Sequence, residues 1–194
     1  RKDFFLVELL AALQILEKGY MDRKGMKTSW AGALGQPQFM PSSYLKYAVD
    51  YDGDGKRDIW VSTPDTLASI ANYLKQFGWE TGRSWGVEVA LAQNGLCTIE
   101  GPDKVRTGRR WAALGVSRID GKPFAEKDEL GEGFLVLPAG TLGPSFLATP
   151  NFSVIKNYNI SDLYTIFIGH VADRIAGGNA GFATPWGVVD KMLR

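Results

Sequence analysis

Four aspartates at alternating positions are the first residues whose spacing points to chemistry. Asp50, Asp52, Asp54 and Asp58 stand at positions 1, 3, 5 and 9 of a loop, with Gly55 at position 6 and Lys56 at position 7. In that register oxygen ligands converge on one calcium ion, the glycine makes the sharp turn and the residue at position 7 offers its backbone carbonyl. Position 12, where a bidentate glutamate closes the standard loop, is Val61. The nearby carboxylate that can close a lengthened loop is Asp65, which follows Pro64 and falls in the first turn of a predicted helix. The competing reading is an ion-free acidic turn, since Asp and Gly are ordinary turn residues. Aspartates crowded at alternate positions repel one another without a cation, which favours a structural Ca2+. Oxygen-only, flexible ligation suits calcium better than magnesium.

A second constellation runs from Ser29 to Pro41, Ser-Trp-Ala-Gly-Ala-Leu-Gly-Gln-Pro-Gln-Phe-Met-Pro. Small residues let a ligand approach the backbone, while Ser29, Gln36 and Gln38 offer neutral hydrogen bonds beside aromatic faces, a combination suited to sugars. A loop whose polar groups satisfy only its own backbone has the same composition. A third cluster, Asn157-Tyr-Asn-Ile-Ser161 with Tyr164, combines amide and phenol groups with a helix cap, and its spacing alone identifies no site.

These residues need a frame. Apolar residues at Phe5, Leu6, Leu9, Leu10, Leu13 and Leu16, followed by Gly19, predict an amphipathic helix over 3–18. Pro41 opens a short helix, and Ser62 or Thr63, Pro64 and Gly78 bracket another. Beyond Gly82 the pattern turns to short alternating runs, predicting strands at 85–91, 109–114, 133–137 and 145–148. Ser161 then caps a helix carrying Phe167, Ile168 and Val171. The expectation is an α+β chain: a mainly helical core built from 1–81 and 151–194, with a small antiparallel β lobe, 82–150, inserted into it.

Composition removes other chemistries. Against 22 Lys and Arg stand 21 Asp and Glu, a formal net charge of +1, so bulk charge recruits neither nucleic acid nor an anionic membrane. Cys97 and His170 are the sole residues of their kinds, which excludes an internal disulfide and any multi-histidine zinc site. No apolar stretch reaches the length of a bilayer span.

Taken together, the run Ser29 to Tyr44, the acidic loop from Asp50 to Trp60, Ala71-Asn-Tyr73 with Gly78-Trp79, and Asn157 to Ser161 with Tyr164 resemble the membrane-bound lytic transglycosylase B family, glycoside hydrolase family 103. The resemblance implies a lysozyme-like helical core with an EF-hand-type calcium loop and a small β domain. It implies cleavage of the β-1,4 bond between N-acetylmuramic acid and N-acetylglucosamine in peptidoglycan, leaving a 1,6-anhydromuramoyl end. One glutamic acid protonates the leaving oxygen and then serves as base while the sugar's own C6 hydroxyl closes the ring, so an internal nucleophile replaces the second carboxylate of ordinary glycosidases.

By motif match, Ser29 and Gln38 orient that acid and the substrate, Tyr73, Tyr158, Asn159 and Tyr164 line the saccharide groove, and Asp50, Asp52, Asp54, Lys56, Asp58 and Asp65 hold calcium. None of the eight glutamates, at 8, 17, 80, 88, 100, 126, 129 and 132, occupies the family's catalytic motif. The acid is therefore expected upstream of Arg1, and membrane anchoring, if present, through the same upstream region. The partner is the peptidoglycan glycan strand, and the location is the periplasm or cell envelope of a Gram-negative bacterium. The competing class is a non-catalytic peptidoglycan-binding or calcium-binding module.

Overall fold

A computed structural model of the chain describes residues 2–92, 98–124, 130–141, 143–178 and 181–186. All the candidate site residues lie within these ranges, whereas Cys97, Glu126 and Glu129 lie outside them. The chain folds as two compact units, Arg1–Phe77 and Gly78–Arg194.

The first unit is helical, with α1 (Lys2–Glu17), α2 (Pro41–Tyr47) and α3 (Thr63–Gln76) joined by two long loops. Ser62 caps α3 by accepting from the Asp65 N–H at 3.3 Å, as the sequence predicts, and Pro64 sits in its first turn. The helix buries a polar side. Ser69 Oγ accepts from Val49 N–H, Thr66 Oγ1 donates to the Ile59 carbonyl and Asn72 Nδ2 donates to the Tyr47 carbonyl, so α3 is sewn to the 47–59 loop by hydrogen bonds. The helix α1 forms where periodicity places it, but its leucine stripe is not its buried face. Glu8, Ala11 and Ile15 are buried, whereas Phe5, Leu6, Leu9, Leu10 and Leu13 are all about half exposed.

The second unit contains β1 (Gly86–Leu91), β2 (Arg106–Thr107), α4 (Gly108–Ala113), β3 (Val116–Arg118), β4 (Glu132–Val136), β5 (Pro138–Thr141), β6 (Ser145–Ala148), α5 (Pro150–Tyr158) and α6 (Asp162–Ile175). Its sheet has the order β2-β4-β6-β1-β3, with every pair antiparallel. Period-two alternation sends Phe134, Val136, Phe146 and Ala148 to a core shared with Trp85, Phe152, Ile155 and Ile166, while Leu135 and Leu147 join Val89, Trp111 and Val116 on the other face. Gly169 lets α6 lie against Trp85, for a side chain there would meet the indole at 2.5 Å.

The structure differs from the expected organisation in three places. The run 109–114 is a helix, because Thr107 accepts from the Arg110 N–H as an N-cap and Trp111 is wholly buried, its indole donating to the Gly133 carbonyl. The break in the chain falls at Phe77/Gly78 and not at 81/82. Gly78 leaves α3 with φ +91°, and Asn151 then holds the following residues by accepting from Glu80 N–H and donating to the Glu80 and Arg83 carbonyls. Finally, residues 151–175 share the sheet's core, so the last two helices belong to the same unit as the strands. No helix among the described residues is long and apolar enough to cross a membrane.

Candidate functional site

In the first unit the Ser29–Pro41 segment is a pinned loop. Leu34 pairs with both Thr28 and Phe39, and Leu34 and Phe39, both buried, exchange N–H···O bonds of 2.7 and 3.1 Å. The Gln36 N–H donates to the Ile59 carbonyl at 2.9 Å and its side-chain amide to the Trp60 carbonyl, so the loop is fastened to the end of the acidic segment. Gly35 has to be glycine: its φ is +61°, and a Cβ would stand 2.5 Å from the Ile59 oxygen. Gln38 takes φ +55°, which is unusual for a residue with a side chain, and its amide donates to the Gly35 carbonyl at 2.9 Å while the side chain stays exposed.

The segment satisfies much of its own backbone, as one of the two readings of its composition expects. Ser29 Oγ accepts from the Ala33 N–H at 3.1 Å, closing a turn, yet the loop is not closed on itself. Trp30 projects wholly into solvent, 100% exposed, where an indole has no packing role. It borders a hollow of about 310 Å3 whose walls include Phe5, Glu8, Leu9, Met26 and Met40. Tyr73 is placed differently. It is buried among Phe39, Tyr47 and Phe77 with ring centroids 5.5, 4.9 and 4.6 Å away, and burial, reinforced by Tyr47, raises its hydroxyl pKa above 10.0.

The acidic loop sorts its carboxylates into two groups. Asp50, Asp52 and Asp65 each bring an oxygen within 4.8 Å of the others. Asp65 is the anchor, almost fully buried, with Oδ1 accepting from Tyr51 N–H and Oδ2 from Asp58 N–H. Asp50 accepts from the N–H groups of Gly53 and Gly55, both glycines having positive φ. Asp54 and Asp58 stand apart from that trio. Asp54 accepts from Lys56 N–H, and Asp58 Oδ1 accepts from the N–H groups of Trp60 and Val61, closing turns of the loop itself.

In the second unit Asn159 is the C-cap of α5 and Ser161 the N-cap of α6, joined by a bond from Ser161 N–H to Asn159 Oδ1 of 3.0 Å. Asn159 is exposed. Tyr158 and Tyr164 flank it half-buried, and burial raises the Tyr164 hydroxyl pKa. Tyr164 also packs against the core cluster around Trp85, which fixes one side of its ring.

A family model described as the transglycosylase SLT domain matches residues 1–173. The chain belongs to that transglycosylase SLT domain family. It is 32% identical over 180 residues to membrane-bound lytic murein transglycosylase B of Escherichia coli K12, which covers 91% of this chain and 47% of that protein. SltB3 from Pseudomonas aeruginosa, solved with NAG-anhNAM-pentapeptide, superposes with TM-score 0.87 at 43% identity, over 96% of this chain and 50% of SltB3. The E. coli lytic transglycosylase Slt35, solved in complex with calcium, superposes with TM-score 0.75 at 32% identity, over 91% of this chain and 54% of Slt35. The fold is thus the lysozyme-like lytic transglycosylase fold of helices and an antiparallel sheet, and the chain spans about half the length of these relatives.

Within this transglycosylase SLT domain one residue escaped sequence reasoning. Glu8 is 7% exposed, and its Oε2 accepts from Ser42 N–H at 2.9 Å while Oε1 accepts from Ser42 Oγ at 2.7 Å. It supplies from another helix the cap that Met40 does not provide to α2. The available signal was a single acid amid the apolar run of α1, which reads as a surface residue until its partner is known. Elsewhere, Glu80 pairs with Arg83 at 2.6 Å, and Glu88 accepts from Ala183 and Thr184 N–H groups.

Proposed function

We propose that this domain is part of a lytic transglycosylase that cleaves the MurNAc-β-1,4-GlcNAc bond of peptidoglycan and leaves a 1,6-anhydromuramoyl end. The observation that carries the reading is the pinned Ser29–Pro41 loop, which spends its backbone and part of its amide groups on holding one shape and leaves Trp30 bare beside an apolar hollow. A rigid loop of this kind presents neutral hydrogen-bonding groups and an aromatic face at little entropic cost, which is what a sugar ring requires. Ser29 and Gln38 orient the glycan and the general acid. In the second unit Asn159, Tyr158 and Tyr164 contact the saccharide, with the Asn159 amide taking an acetamido group, whereas Tyr73 in the first unit braces the loop through its ring contact with Phe39.

The general-acid glutamate comes from polypeptide outside this chain. Glu8 is a poor candidate because both of its oxygens are engaged by Ser42, an arrangement that holds a helix.

The acidic loop binds Ca2+ in EF-hand fashion as a structural clasp. The donor set fits a hard cation, with Asp50, Asp52 and Asp65 converging and hydrogen bonds from the loop's own N–H groups orienting each carboxylate. Asp54, Asp58 and the Lys56 carbonyl complete the set only if the loop rearranges, since the two aspartates lie outside the trio. Bound there, the ion ties the start of α3 to the loop that holds Gln36. The whole protein acts in the periplasm, at the cell envelope of a Gram-negative bacterium.

The test is incubation of the 194-residue chain with purified peptidoglycan, with mass spectrometry of the soluble fraction and a parallel binding titration with muropeptides. Binding without release is expected. Release of anhydromuropeptides places the acid inside the chain, and absence of both binding and release overturns the glycan reading.

A further inference from the structure

Residues 181–186 form a strap against the sheet where β1 and β6 pair, and the transglycosylase reading leaves it unused. Glu88 of β1 and Phe146 of β6 are register partners there, and each holds one part of the strap. Glu88, half-buried, grips the backbone: Oε2 accepts from the Ala183 N–H at 2.7 Å and Oε1 from the Thr184 N–H at 2.8 Å. Both oxygens of the carboxylate are engaged in charge-assisted bonds, which makes the clasp two-pronged. The grip is itself anchored, since the Glu88 carbonyl accepts from the Ile119 N–H at 3.2 Å. Phe146 receives the Phe182 ring edge-on, with centroids 5.1 Å apart and planes at 75°.

The strap in turn touches α6. The Phe182 ring stands 4.4 Å from the His170 imidazole, tilted by 35°. Trp85 holds the same helix along a single line: its indole lies against Gly169 and donates to Asp173 Oδ2 at 2.7 Å, one turn further on. That line runs through the buried side of α6, with Thr165 and Ile166. At about 100° per residue, Tyr164 falls at one border of this side and His170 at the other, about 9 Å apart along the axis. A helix pinned along one line can roll about it. The Phe182 contact at the His170 border opposes that roll, which would swing Tyr164 and the Asn159–Ser161 turn at the start of the helix. A displacement of about 1 Å in a positioning group is enough to spoil a ligand's geometry.

We propose that Glu88 is a positioning residue: by clasping the strap it seats Phe182 between Phe146 and His170, and so fixes the roll of α6 and the place of Tyr164 and Asn159 in the glycan surface. The inference rests on the reading of Asn159 and its flanking tyrosines as glycan-binding. It adds that a carboxylate on the sheet, touching no sugar, sets how well the α5–α6 turn holds one.

The test is calorimetric titration of the 194-residue chain and its variants with NAG-NAM-pentapeptide, alongside thermal scans and amide hydrogen exchange. Glu88→Ala, which removes both bonds, and Phe182→Ala are each expected to bind about three- to tenfold more weakly at a temperature where every variant stays folded. Glu88→Gln, whose one carbonyl oxygen keeps a single bond, should fall between, and it carries the comparison should Glu88→Ala not fold. Trp111→Phe is the control: it lowers the melting temperature from the opposite face of the sheet and should leave the affinity unchanged. Exchange at 159–165 should quicken several-fold in Glu88→Ala and not in Trp111→Phe. Unchanged affinity in Glu88→Ala, exchange at 159–165 that does not respond to it, or an equal loss of affinity in Trp111→Phe overturns the inference. Should the unsubstituted chain not bind the probe at all, the glycan reading fails by itself, and exchange decides the strap. Quickening confined to Glu88→Ala upholds its hold on α6, and no difference rejects it.

Discussion

Glu8 on α1 grips Ser42 on α2 with both carboxylate oxygens, at 2.9 Å to the backbone nitrogen and 2.7 Å to the hydroxyl. The pair closes the first turn of α2 immediately after the loop that carries Gln38, so the same contact holds a helix and fixes where the loop ends. Removing one partner strands the other in a nearly dry place. Glu8→Ala is expected to cost about 2–3 kcal/mol and Ser42→Ala about 1 kcal/mol. Chemical denaturation of the two single variants and the double variant checks this, and purely additive losses would dissolve the pair as a unit.

Calcium added to metal-free protein should raise the melting temperature, because an ion bound by the folded loop and not by the unfolded chain shifts the equilibrium by mass action. Asp65→Asn is expected to abolish the calcium-dependent shift, since Asp65 is the buried member of the trio. Thermal scans with millimolar calcium and with chelator distinguish this from a merely acidic turn, for which both scans coincide.

Trp30→Ala should weaken muropeptide binding about fivefold, the worth of one aromatic contact of about 1 kcal/mol. Its melting temperature should not move, because the indole is fully exposed and packs against nothing the fold needs. Titration calorimetry alongside a thermal scan reads both, and unchanged affinity removes Trp30 from the sugar-binding surface.

Asn159→Ala should weaken the same ligand while the domain stays folded. The side chain is exposed and makes one turn-closing bond, to Ser161 N–H, so the loss of stability stays near or below about 1 kcal/mol. Full affinity in the variant, or collapse of its thermal transition, contradicts the assignment.

Tyr44 makes alkaline stability measurable. Its ring is wholly buried, and its hydroxyl donates to the Arg57 carbonyl at 3.0 Å. Burial pushes the hydroxyl up to about 12 from 10.0, against the lowering pull of the Arg57 charge. A pKa raised by folding means the neutral phenol is favoured in the native state. The contribution is complete below pH 10 and is lost as pH climbs through 12, by up to about 3 kcal/mol. Tyr44→Phe should flatten that part of the stability profile, and tyrosinate absorbance of the native protein should lag behind that of the unfolded chain.

Sequence reasoning reached the parts of this fold whose signals are local. Ser62, Pro64 and Gly78 delimit α3 because caps act on their own helix, and alternation at 133–137 and 145–148 reports strands whose two faces meet different neighbours. It failed where a distant partner decides. The run Arg109 to Leu114 resembles a strand until the Thr107 cap and the buried Trp111 are seen together. The helix α5 was missed although Thr149 and Pro150 supply an N-cap and a first-turn proline, because the alternating strand before it masked the change of period. In the acidic loop, the register singles out Asp50, Asp52, Asp54 and Asp58 and leaves Asp65 outside it as a closing acid, but no spacing rule says which acids converge: Asp50, Asp52 and Asp65 do, while Asp54 and Asp58 accept from their own backbone. Glu8 was invisible because its meaning lies 34 residues away in Ser42.

The outward side of α1 also governs how this polypeptide behaves in a tube. Phe5, Leu6, Leu9, Leu10 and Leu13 form an oily strip along one rod, on a molecule whose formal charge is only +1 at pH 7. Colloids without charge repulsion coalesce through such strips. The material should therefore concentrate best well away from its isoelectric point near pH 8.0, with a mild detergent present, and charged replacements at Leu6 and Leu13 should raise its solubility limit.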